Sequence, residues 1–250
     1  MKHPKVWIFL VAVLLLVSAL TGKEDIEGRE MTHESEHFTI ITYEPEPNYV
    51  DDIVTALEDN YQHTVSSLRM EEEIAKTSVR IYPTIEEFHQ AVNMVGAPNW
   101  ALGTIWRSDE FRITSPLSPG LPVSYDDMTQ KLPVHEFTHV VVYNIVNPEK
   151  IPYWLWEGIS LYMAGQRFDL SELSSLKEGG FPKFEELGSM QHSFQFGYSL
   201  VEFIIGRWGA DTLKDFLLAY GNIEETYNVS VDTFHKDWRD FVTENYLGKE

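Results

Sequence analysis

Histidines at 135 and 139 enclose an acid in the run His135-Glu136-Phe137-Thr138-His139. On an α-helix, positions i and i+4 share a face, so the two imidazoles can present nitrogens to a single ion. Glu136 stands beside them without having to bind, which leaves its carboxylate free to take a proton from a water. Hydrolytic zinc uses this kind of donor set, but it takes three protein ligands and keeps a fourth position open. The third must come from elsewhere in the chain. There is no cysteine, so it is another histidine, an aspartate or a glutamate. No histidine follows at the short spacing of the H-E-x-x-H-x-x-G-x-x-H pattern. Glu157 lies in Pro152-Tyr153-Trp154-Leu155-Trp156-Glu157-Gly158-Ile159-Ser160, and 17 residues separate it from His139. That length, broken by prolines, suits a helical hairpin that returns a carboxylate to the imidazoles. Glu149 and Asp169 are the alternatives.

The motif needs a rigid support. Val134, Phe137, Val140, Val141, Ile145 and Val146 give residues 133–147 an apolar helical background, and Asn147-Pro148 ends it. Upstream, residues 36–43 and 78–82 carry the alternation and β-branched content of strands. Residues 48–70 have helical periodicity, and Thr84 with Glu87 three positions on predicts a capped helix running to Gly96. Residues 101–106 and 111–114 flank Arg107-Ser108-Asp109-Glu110 and predict a β-hairpin, followed by a Pro/Gly/Ser-rich loop. Downstream the pattern is helical at 153–164, 194–207, 210–220 and 231–246, punctuated by Gly209 and Gly221. The expected fold class is α+β: an N-terminal mixed sheet with helices (36–132), the motif helix (133–147) and an all-helical C-terminal lobe (148–250).

The H-E-x-x-H helix followed by W-x-W-E-G-I-S resembles the gluzincin metallopeptidases. The order of parts looks like the small secreted bacterial peptidase-MA-like domains. The resemblance spans most of residues 36–246, with its specific motifs confined to 135–160. It implies a zincin-like fold in which His135, His139 and Glu157 bind one Zn2+ and Glu136 is the general base and proton shuttle. It also implies a hydrogen-bond donor to the developing oxyanion; Tyr198 is the candidate catalytic residue, with His192 beside it in residues 191–199. A peptide substrate would lie along an edge strand, for which residues 101–106 are the candidate. The chain departs from related proteins at Leu161, where an acid often stands one turn beyond the ligand Glu. That leaves the partners of the zinc histidines unassigned.

Composition limits what else the chain can do. At 250 residues, with 43% hydrophobic side chains, it can bury one substantial core. The net charge is −20, or −22 without residues 1–19, which hold two lysines and no acid. Such a surface repels phosphate backbones and anionic membranes, so nucleic acid is an unsuitable partner. Lys2 and Lys5 precede an apolar run from Val6 to Val17 and the small pair Ser18-Ala19. That reads as a signal peptide over 1–19, or an uncleaved signal anchor, with 20–35 as a polar, poorly ordered lead-in. The expected function is a secreted zinc-dependent endopeptidase acting on peptides or proteins. The alternative is a catalytically silent domain of the same fold that binds zinc, peptide or cell-wall material.

Overall fold

Apolar residues at every second position build the sheet that supports the site. The computed structural model describes residues 30–43, 48–72, 74–177 and 179–248. Five strands, β1 (Met31–Glu34), β2 (Phe38–Thr42), β3 (Thr77–Tyr82), β4 (Gly103–Arg107) and β5 (Glu110–Thr114), form one mixed sheet in the order β1-β2-β3-β5-β4. The central pairs β2–β3 and β3–β5 are parallel; the outer pairs β1–β2 and β4–β5 are antiparallel. Phe38, Ile40, Val79, Ile81, Phe111 and Ile113 share the inner face and are buried. Against them pack helix α1 (Val50–Ser67), through Ile53 and Leu57, and the motif helix, through Phe137, Val140 and Val141. Ile41, Tyr43 and Tyr82 occupy the outer face with Phe88 of α2 (Ile85–Ala91).

Local sequence accounts for most boundaries. Thr84 caps α2 by accepting from the Glu87 amide at 3.1 Å, as the capping pattern predicts. The helix ends at Ala91, short of Gly96, because Asn93 adopts φ 58° and turns the chain. The hairpin forms as β4 and β5, and buried Glu110 at its turn accepts from Arg107 and Arg112 at 2.7 Å each. Within the expected disordered lead-in, residues 31–34 are instead strand β1. Its pairing with β2 supplies the order that four polar-alternating residues do not advertise, and Lys76 bonds Glu34 from across the sheet. The expected signal segment lies outside the described residues, among which no helix is long and apolar enough to cross a membrane.

The motif helix α3 (Leu132–Ile145) follows a π-helical turn at Asp127–Lys131 and stops before Asn147-Pro148, as expected. The Asn147 side chain accepts from the Glu149 amide at 3.0 Å, and a short turn leads through Pro152 into α4 (Tyr153–Met163). The remaining helices are α5 (Ser174–Lys177), α6 (Met190–Trp208), α7 (Leu213–Leu218), α8 (Ile223–Tyr227) and α9 (Val231–Val242). The short α5 and α8 carry too few residues to show a period, which is why the sequence pattern passes over them. Trp154 of α4 is buried near Phe184 and Phe216, so it packs the helical lobe rather than lining a ligand cage.

Helix α4 meets α6 backbone to backbone. A Cβ placed at Gly158 would lie 2.7 Å from the Gly197 carbonyl oxygen, and one at Gly197 would lie 2.9 Å from the Gly158 Cα. This contact fixes α4 one residue from Glu157. Alanine at either glycine gains up to about 1 kcal/mol in helix propensity but forces the helices apart. Gly158→Ala and Gly197→Ala are each expected to destabilise the protein by a net of about 1–2 kcal/mol in urea unfolding. Both should weaken metal affinity through displacement of Glu157.

Candidate metal centre

Helix α3 is sandwiched. Phe137 faces the sheet, its ring 5.0 Å from that of Phe38 and 5.4 Å from that of Tyr61. The helical period sends His135 and His139 to the opposite side, toward α4. There they meet Glu157: its Oε2 lies 3.4 Å from His135 Nε2 and 3.8 Å from His139 Nε2. One donor atom from each residue falls within 4.8 Å of the other two. All three residues are buried, and Glu157 Oε2 has no hydrogen-bond partner. Tetrahedral ligands at about 2.0–2.1 Å from an ion sit roughly 3.4 Å from one another. The spacing, the mixed nitrogen and oxygen donors and the unpaired buried oxygen all fit a metal ion. The fold and site thus define an α+β protein with a buried His135, His139 and Glu157 group that could hold one.

The imidazoles are oriented from behind. His135 Nδ1 lies 2.7 Å from Gln166 Oε1, which can only accept, so Nδ1 carries the proton and Nε2 offers its lone pair. His139 Nδ1 lies 2.9 Å from Ser160 Oγ, one turn beyond Glu157 on α4. The Trp156 ring stacks on His139 at 4.2 Å and 12°, fixing its plane. These contacts supply the partners that Leu161 cannot: an amide and a hydroxyl hold the histidines.

Burial and charge divide the titrations of the four groups. Burial pushes His139 down to about 3, against the pull of Glu157 and with the help of His135. Burial acts the same way on His135, but contact with Glu157 and the charge of Glu136 outweigh it and leave it raised. For Glu157, burial is overcome by His135 and the charge of His139, and its carboxyl stays low. Glu136 has no comparable relief: burial pushes it up to about 8 although the His135 charge opposes this, and its Oε2 is unpaired. The structure therefore separates two carboxylates by environment: Glu157 lies among imidazoles that favour its charge, and Glu136 lacks such partners and is the more basic of the two.

Of the expected site residues, His135, His139 and Glu157 come together, and the buried Glu136 carboxyl feels the charges of His135 and Glu157. The Tyr198 ring lies 5.2 Å from that of Tyr162, where burial and Glu202 raise its phenol. His192 Nδ1 is 2.9 Å from the Glu186 carbonyl, and its ring lies 5.8 Å from that of Phe196. Tyr153, one turn before Glu157, bonds to its carboxylate; burial and the Glu157 and Glu136 charges raise its phenol, so it keeps its hydrogen. Its i−4 spacing from Glu157 was a readable cue, as was the i+3 spacing of Ser160. Gln166, 31 residues from His135, had none.

No protein-family model matches the chain, and no curated protein matches it. Loss of one of these outer contacts typically costs 10–100-fold in metal affinity. Gln166→Ala and Ser160→Ala are expected to fall within about that range in competition against a chromogenic chelator, with unchanged far-ultraviolet circular dichroism.

Proposed function

We propose that the chain is a zinc-dependent endopeptidase of gluzincin type, with a zincin-like fold, taking one Zn2+ through His135, His139 and Glu157. The observation that carries this reading is the convergence of two imidazoles, held from behind by Gln166 and Ser160, and an unpaired carboxylate oxygen, with Glu136 adjacent but outside the donor set. Bound there, zinc would act as a Lewis acid on a peptide carbonyl and acidify the attacking water.

The rest falls to the chain. Glu136 accepts the proton of that water and delivers it to the departing amine. A carboxylate pushed up by burial is a stronger base than an exposed one, which suits it to this transfer. Tyr153, kept protonated next to Glu157, donates its hydrogen to that carboxylate and helps hold it in the donor set, which leaves Tyr198 as the candidate donor to the developing oxyanion. Strand β4 is at the sheet edge, with Gly103 against Glu136, and supports main-chain pairing with an extended peptide. Secretion, or anchoring by an uncleaved segment, rests on residues 1–19 alone. The acidic balance argues against nucleic acid as a partner.

The test starts with metal content. The purified protein is expected to hold about one zinc per chain, and Glu157→Ala to lose it or bind far more weakly. Glu136→Gln should keep the zinc and lose at least about a hundredfold in turnover of an internally quenched peptide library. Zinc bound without cleavage would leave the catalytically silent zinc-binding domain as the better reading. Full activity in Glu136→Gln would sink the mechanism.

A further inference from the structure

Glycine inside a strand weakens it unless another group needs the space. Gly103 opens β4, and the space its side chain would fill is occupied by Glu136. A Cβ at Gly103 would lie 2.5 Å from Glu136 Oε1, 2.9 Å from its Cδ and 3.0 Å from its Cγ. Next on the same face of the strand is Ile105, which packs against the core beside α3, so the face that Gly103 leaves bare is the inner one.

The register shows what lies above this gap. The Thr114 amide donates to the Leu102 carbonyl at 2.8 Å, and Thr104 is opposite Arg112. In an antiparallel pair the main-chain groups of successive residues point alternately toward and away from the partner. Leu102 and Thr104 therefore direct theirs at β5, and Gly103 and Ile105 direct theirs to the open edge. The Glu136 carboxylate sits beneath the first outward-facing main-chain position of β4.

We propose that Gly103 is a positioning residue for Glu136: its missing side chain seats the carboxylate against the open edge of β4, at the point where a paired peptide's main chain would pass. This deepens the peptidase reading and rests on it. A Cβ at 103 would displace the carboxylate, since its three nearest atoms all belong to Glu136.

The test is a double-mutant cycle on the full chain, comparing wild type, Gly103→Ala, Glu136→Asp and the Gly103→Ala/Glu136→Asp double variant. Zinc content, Tm of the metal-free protein, and kcat and KM on the quenched peptide library are measured for each. Gly103→Ala alone is expected to lower Tm by about 5 °C and kcat by about tenfold or more, with zinc retained and KM within about twofold. Glu136→Asp withdraws the carboxylate by one methylene, and in that background the same change should cost little in either Tm or kcat. Additive effects in both quantities overturn the proposal, as does a Gly103→Ala variant with wild-type Tm and kcat. If Gly103→Ala fails to fold, recovery in the double variant supports the proposal, and failure there too overturns it. A zinc-loaded wild type without cleavage removes the peptidase reading, while the Tm coupling separately decides whether Gly103 seats Glu136.

Discussion

Two imidazoles and two carboxylates have been withdrawn from water into one small space, and two carboxylate oxygens there have no hydrogen-bond partner. Even after relaxation, removing a charge from solvent costs several kcal/mol. The fold has to hold these groups together against that cost. It does so by trapping α3 between a sheet and a helix, with its aromatic side locked to the strands and its histidine side facing α4. The helix cannot rotate to expose the histidines without exposing Phe137, Val140 and Val141, which are fully buried. Core packing and site geometry are therefore one constraint seen from two sides of α3.

The other half of the site depends on a contact with no polar chemistry. Helix α4 delivers Glu157, and α4 is placed by the approach of Gly158 to Gly197 on α6. The glycine after the ligand glutamate is thus a packing residue, and α6 acts on the metal centre through it. Ser160 and Gln166 extend the same dependence, because each holds an imidazole from α4 or the turn beyond it. The histidines are carried by one helix but oriented by another.

Much of this was legible beforehand, for identifiable reasons. Strands β2, β3 and β5, helix α1 and the β4–β5 hairpin follow the alternation and periodicity of their own residues. Helix α3 stops where Asn147-Pro148 makes it stop. The pairing of His135 with His139 follows from helical geometry alone. Strand β1 and the early end of α2 were not legible, since pairing across the sheet and a single left-handed residue decided them, and α5 and α8 are too short to show a period. Leu161 pointed to a missing partner for the histidines, but residues at other positions supply it.

The sequence by itself determined the chemistry on offer: two imidazoles one turn apart, an acid beside them, a second acid beyond a proline turn, and no thiol. These follow from local periodicity, which neighbouring residues enforce without help from the rest of the chain. Tertiary structure alone decided which residues surround them. It chose Gln166 and Ser160 as the partners of the histidines, put Tyr153 beside Glu157 and Tyr198 near Tyr162, and set Gly103 against Glu136. Such contacts join segments far apart in the chain or depend on how a helix is rotated, and only the packing of α3 between the sheet and α4 fixes them.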